Sequence, residues 1–182
     1  MRLFVSVDVD DLAEAVQHVQ EPFHLDGLDP TDPEQAHVTL EFLGDVERGE
    51  LDRLTDALGA AVEDAGVGPF GAELGGYGVF PSLDYISVVW LGVGEGGAEL
   101  TRLHEAVEDR TTALGFEPED HEFTPHVTLA RMDHAANKDR VQELVRERDP
   151  DAGTTRVEEI HLTESTLTPS GPDYETVGRF PL

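Results

Sequence analysis

The chain of 182 residues contains no cysteine. That absence excludes thiolate nucleophiles, thiolate zinc sites, iron–sulfur clusters and a disulfide-stapled scaffold. Long apolar runs are missing too, and nothing approaches the roughly 20 residues that a membrane-spanning helix needs. The opening Met1-Arg2-Leu3-Phe4-Val5-Ser6-Val7 meets Asp8 too soon to read as a secretory signal. Basic residues are scarce, with 12 Lys and Arg against 39 Asp and Glu, and Lys138 is the single lysine. The formal net charge is -27 at pH 7, which excludes a basic track for holding long nucleic acids.

High net charge on low hydrophobicity can signal disorder. Here 38% of the residues are hydrophobic and fall in periodic segments, so a folded chain is expected. A lysine-poor acidic surface suits concentrated salt, because the Debye length shrinks to about 3 Å at 1 M and self-repulsion is screened. The composition therefore reads as halophilic, and a soluble, cytoplasmic monomer without a membrane partner is expected.

Alternating residues predict a half-buried strand over 2–8, with Leu3, Val5 and Val7 on one face and Phe4, Ser6 and Asp8 on the other. Helical spacing follows from Leu12 to Val19 behind candidate caps Asp10 and Asp11. A loop covers 22–33 and a strand runs from His37 to Leu43. A helix spans Leu51 to Ala65 and stops at Gly66. Residues 70–80 and 85–93 form a hairpin turning at Pro81-Ser82-Leu83-Asp84. A helix from Leu100 to Leu114, a strand from His126 to Arg131, a helix around Val141–Val145 and strands at 155–164 and 174–180 complete the chain. Interleaved helices and frequent hairpins predict an α+β fold. The expectation is one bilobed, pseudo-symmetric domain over 1–182, with repeat halves of roughly 1–93 and 94–182. Two antiparallel or mixed sheets with flanking helices would enclose a central cleft.

The chemistry lies in a repeat. His37-Val38-Thr39-Leu40 recurs unchanged as His126-Val127-Thr128-Leu129, nearly half the chain away. On a strand the His and Thr of each copy share a face, while Val38, Leu40 and Phe42, like Val127 and Leu129, turn to the packed side. Two imidazoles can supply one base and one acid near neutral pH, and two hydroxyls can donate to oxyanions. That is equipment for in-line displacement at phosphorus. The spacing leaves open which His is the acid. His121, His126 and His161 lack metal-ligand spacing, and no metal or other cofactor is expected. The glycines at 75–78 lack the sequence of a phosphate-binding loop. Phe4 is a candidate stacking surface for a base. Arg131 is a candidate phosphate ligand, although strict alternation turns it away from His126 unless a bulge intervenes.

The motif pair and its flanks resemble the 2H phosphoesterases, and more narrowly the RNA 2′,3′-cyclic phosphodiesterases, also described as 2′-5′ RNA ligases. Arg2-Leu3-Phe4, His37 to Gly44, Gly75 to Pro81, Val88 to Val93, Thr124 to Arg131 and Leu162 to Ser165 carry the resemblance. It implies a cleft enzyme that needs no metal and opens an RNA 2′,3′-cyclic phosphate to a 2′-phosphomonoester. His37 would protonate the leaving 3′-oxygen, His126 would activate water, and Thr39 and Thr128 would hold the phosphate. Ligation, the reverse reaction, and a non-catalytic binder of RNA ends or cyclic nucleotides are the alternatives. Family members often have basic residues before the Trp-bearing strand, where this chain has Ser82-Leu83-Asp84, and an aromatic in the loop 27–36, where it has none.

Overall fold

A computed structural model describes residues 1–182. Nine strands, β1 (Arg2–Asp8), β2 (Leu28–Pro30), β3 (His37–Asp45), β4 (Phe70–Pro81), β5 (Ile86–Val93), β6 (His126–Met132), β7 (Asp151–Val157), β8 (Glu159–Thr168) and β9 (Gly171–Pro181), alternate with four helices. The helices are α1 (Ala13–Gln20), α2 (Leu51–Ala65), α3 (Gly97–Ala113) and α4 (Lys138–Glu147). Every strand pair is antiparallel.

The expected two sheets are in fact one curled sheet, ordered β7-β4-β5-β6-β3-β1-β8-β9, with β2 on β6. A single residue pair, Val38 with Val127, joins its halves between β3 and β6. Helices α2 and α3 cover one half-sheet, and α1 and α4 cover the other. One cluster of 34 buried hydrophobic residues fills both layers.

The repeat is visible in the topology, but the lobes are not its halves. Strand–helix–strand–helix–strand reads β1-α1-β3-α2-β4 and then β5-α3-β6-α4-β8, with β7 inserted. The boundary therefore lies in the turn between β4 and β5, one strand before residue 93. The last strand of each unit crosses over: β4 pairs with β5, and β8 pairs with β1. Each lobe is thus built from both halves of the chain.

Helix α2 matches its expected span and ends on Gly66, whose φ of 63° is the left-handed conformation that glycine adopts without a Cβ clash. Three local expectations differ. Strand β1 is buried on both faces from Leu3 to Val7, because α-helices cover one side and the cleft wall covers Phe4 and Ser6. Asp10 and Asp11 do not cap α1. They sit in a 3-10 turn, and the Asp11 carboxylate accepts the Thr155 hydroxyl at 2.8 Å. The C-terminal region holds three strands rather than two, since the chain passes from one half-sheet to the other across Glu158 alone.

Candidate active site

The two His-Val-Thr-Leu segments open β3 and β6, the strands that meet at the centre of the sheet. Val38 faces Val127, and both are 1% exposed. Antiparallel register around that pair sets His37 against Thr128 and Thr39 against His126. All four project to the face opposite the valines, each half-buried, around the local two-fold axis.

Each imidazole is oriented by the same device. His37 Nδ1–H donates to the Gln35 carbonyl at 2.9 Å, and His126 Nδ1–H donates to the Thr124 carbonyl at 2.7 Å. A carbonyl can only accept, so Nδ1 carries the proton and Nε2 is the titrating nitrogen in both. Aromatic rings flank each one. Phe4 lies 5.1 Å from the His37 ring and Tyr174 meets it edge-on at 5.2 Å. Phe80 meets His126 edge-on at 4.9 Å, with Trp90 at 5.8 Å. Burial among these rings disfavours the charged imidazoles and lowers both pKa values. For His37 the Gln35 carbonyl and the Asp8 charge oppose that shift, while Arg131 adds to it. For His126 the Thr124 carbonyl opposes it, and His37, Arg131 and His121 add to it.

Both motif strands carry a bulge at the residue after Thr. On β6, Thr128 pairs with Trp90 and Ala130 with Val89, leaving Leu129 as the extra residue. The alternation then changes phase, Leu129 and Ala130 are buried side by side, and Arg131 emerges on the face of His126. Its charge reaches both imidazoles and the Tyr174 hydroxyl. On β3, Leu40 is the extra residue between Thr39 opposite Ser6 and Glu41 opposite Val5. Phe42, expected on the packed side, is consequently 62% exposed at the position equivalent to Arg131. Glu41, which strict alternation would place beside His37, is 1% exposed in the core.

Phe4 stands on the cleft face but is 4% exposed, wedged among His37, Phe42 and Tyr174. It is a wall for the imidazole, and the open aromatic surface is Phe42. Tyr174, Phe80 and Trp90 were not legible as site residues, because they arrive on β9, β4 and β5 with no motif of their own. With Phe4, they supply the aromatic surroundings that the loop 27–36 lacks. Two hollows adjoin the centre. Thr39 and His126 open onto one walled by Phe42, Phe80 and Phe123. His37 opens onto the other, lined by Ser6, Asp8, Gln35, Tyr174 and Thr176. His121 borders the hollow of His126 while His161 lies against Asp8 and Glu159, and no group of three or more His, Cys, Asp or Glu is placed to hold a metal ion.

No helix is long and apolar enough to cross a membrane. Residues 8–168 match the family model of the 2′-5′ RNA ligase superfamily. Proteins named RNA 2′,3′-cyclic phosphodiesterase align over nearly their full length. That of Methanothermobacter thermautotrophicus is 36% identical over 100% of this chain and 99% of its own. That of Archaeoglobus fulgidus is 37% identical, covering 99% of each. Among solved structures, TT0787 of Thermus thermophilus is 31% identical, with a TM-score of 0.79 over 100% of this chain and 98% of that one. Escherichia coli LigT complexed with 3′-AMP shares the fold at 23% identity, with a TM-score of 0.79 over 100% of this chain and 97% of that one. The chain belongs to the 2H phosphoesterases, and within them to the RNA 2′,3′-cyclic phosphodiesterase family.

Proposed function

We propose that this chain hydrolyses the 2′,3′-cyclic phosphate at an RNA end to a 2′-phosphomonoester, without a metal ion. The observation that carries the reading is the register of β3 on β6, which gathers two imidazoles and two hydroxyls around one axis. His126 Nε2 takes a proton from water, whose oxygen attacks phosphorus in line with the bond to the 3′-oxygen. His37 Nε2–H gives its proton to that leaving oxygen. The Thr39 and Thr128 hydroxyls donate to the non-bridging oxygens, where charge builds in the transition state. The Arg131 guanidinium supplies the positive charge that two neutral hydroxyls lack.

The test is single-turnover hydrolysis of a short RNA ending in a 2′,3′-cyclic phosphate, in EDTA. The expected product is the 2′-phosphate. His37→Ala and His126→Ala should each slow the reaction by roughly 10²–10⁴-fold. Thr39→Ala or Thr128→Ala should cost about 10–10³-fold, as loss of one oxyanion donor. Strict dependence on added metal, or full activity without either His, would refute the reading. Binding without turnover would leave the non-catalytic alternative. Water at about 55 M with no nucleotide-driven step favours hydrolysis over ligation, and an added 5′-hydroxyl RNA reports the latter directly.

A further inference from the structure

The two halves of the site match in backbone but differ in charge at one register position. Asp8, the last residue of β1, lies directly opposite His37 on β3. The equivalent place opposite His126, on β5, is Gly92. Directly opposed residues of an antiparallel pair bring their Cβ atoms to about 5 Å, so a carboxylate stands opposite one imidazole and no side chain stands at the equivalent position opposite the other.

Asp8 is itself held. His161 on β8, 5% exposed, donates from Nδ1 to Asp8 Oδ2 at 2.9 Å and from Nε2 to Glu159 Oε1 at 2.7 Å. Two ring nitrogens facing two carboxylates favour the doubly protonated imidazolium, against the Arg179 Nη1 that lies 3.2 Å from the same Nε2. Its pKa is raised, first by the hydrogen bond to Asp8, against burial, and then by Glu159. Arg179, opposite His161 on β9, donates to the same Glu159 oxygen at 2.7 Å. Charge therefore alternates from Arg179 through Glu159 and His161 to Asp8, and the row ends at His37. Burial pushes the Asp8 carboxyl up, but the hydrogen bond and charge of His161, with His37 and Arg179, bring it below its ordinary value. It is ionised wherever the site works.

Other groups facing His37 are Asp10, Glu34 and the Gln35 carbonyl around the shared hollow, Tyr174 from β9, and Arg131 from β6. Around His126 the charges that act on the ring are those of His37, Arg131 and His121, and the Glu119 and Glu122 carboxylates line its hollow without standing opposite it in the sheet.

We propose that Asp8, clamped by His161, is a positioning residue that keeps the proton on His37 and thereby makes His37 the acid and His126 the base. The assignment rests on the two-imidazole reading above, but its electrostatic part is measurable without substrate.

The experiment is an NMR titration of the His ring protons in the free protein, with single-turnover rates alongside. Asp8→Asn keeps the shape and an acceptor for His161 but removes the charge. It should lower the His37 pKa by roughly one pH unit and leave His126 much less changed. His161→Gln removes the cation facing Asp8 and should move His37 upward. Asp8→Glu restores the charge and should restore the titration. At pH 7.5 the rate should fall about tenfold in Asp8→Asn, following the protonated fraction of His37. A purely structural role would not give opposite signs for Asp8→Asn and His161→Gln. If His161→Gln does not fold, Asp8→Asn against Asp8→Glu decides alone. An unmoved His37, or a His126 that moves as far, would overturn the proposal. Titrations that shift as stated in a wild-type protein inactive on the cyclic phosphate would instead overturn the functional reading and leave the clamp standing.

Discussion

Glu41 is a carboxyl group that the fold would hold more easily without its charge. The bulge at Leu40 turns it from the cleft into the core, where it is 1% exposed. Its hydrogen-bond partner is the Thr111 hydroxyl, 2.9 Å from Oε1 and 2.8 Å from Oε2, a single proton shared by two oxygens. Burial dominates and pushes the pKa up to about 7, with Glu108 and Glu119 adding to it and Thr111 opposing it. In the unfolded chain the group ionises near its ordinary 4.5. Between those values the unfolded state has released a proton that the folded state keeps, so stability falls as pH rises from about 4.5 to 7 and then levels off. The gap corresponds to about 3 kcal/mol as an upper bound.

Glu41→Gln has nearly the same shape and never ionises. At pH 8 it should stabilise the protein by up to about 3 kcal/mol, raising Tm by roughly 6–12 °C for a domain of this size. At pH 5, where the wild-type carboxyl is already protonated, the gain should nearly vanish. Thermal or urea unfolding of both proteins at pH 5 and pH 8 gives the difference. An equal effect at the two pH values, or destabilisation at pH 8, would show that Glu41 is not held protonated by its burial.

Three further outcomes are expected. With both imidazoles below their ordinary pKa, kcat/KM for a cyclic phosphate should follow a bell centred below pH 6.5, and an optimum above pH 7.5 would contradict that burial. Gly78 lies flat under the Trp90 ring, where a Cβ would overlap it. Gly78→Ala should therefore displace Trp90 and with it Phe80 and His126, changing the near-UV signal of the single tryptophan and slowing turnover by on the order of 10²-fold. The net charge of -27 should make both stability and turnover rise from low salt into the molar range, read by KCl titration of unfolding and hydrolysis on one preparation. Activity that is highest at low salt and falls steadily would mean that the acidic composition has another cause.

Periodicity was enough for the elements whose apolar residues repeat without interruption. Leu54, Leu58 and Ala61 mark α2, Val141 and Leu144 mark α4, and alternation marks β3 and β6. The repeated His-Val-Thr-Leu also revealed which side chains would share a face. Strict alternation failed one residue later, because a bulge carries no obligatory residue and is set by the partner strand. Arg131 and Phe42 entered the cleft and Glu41 left it for that reason. The crossing at Glu158 was invisible for a related cause: the chain changes sheet partner without a Gly or Pro to mark it. Tyr174 and Asp8 became site residues through pairings with distant strands, which periodicity along the chain does not encode.

A duplicated fold offers two equivalent imidazoles, whereas displacement at phosphorus needs two unequal ones. Equal backbones cannot make that difference, since the same carbonyl hydrogen bond and the same bulge occur on both sides. The difference must come from substituents at equivalent positions. Asp8 stands where the other half has Gly92, and Arg131 stands where the other half has Phe42. A carboxylate beside His37 favours its imidazolium, and a guanidinium on the strand of His126 disfavours protonation there while drawing an anionic phosphate in. The guanidinium also disfavours the proton on His37, which is why the carboxylate is needed on that side. Arg131 acts against a proton on both imidazoles, whereas Asp8 favours one on His37 alone, so the carboxylate carries the difference between them. In a chain so short of cations, one arginine placed by a bulge and one carboxylate clamped by a histidine give the symmetric cleft its direction.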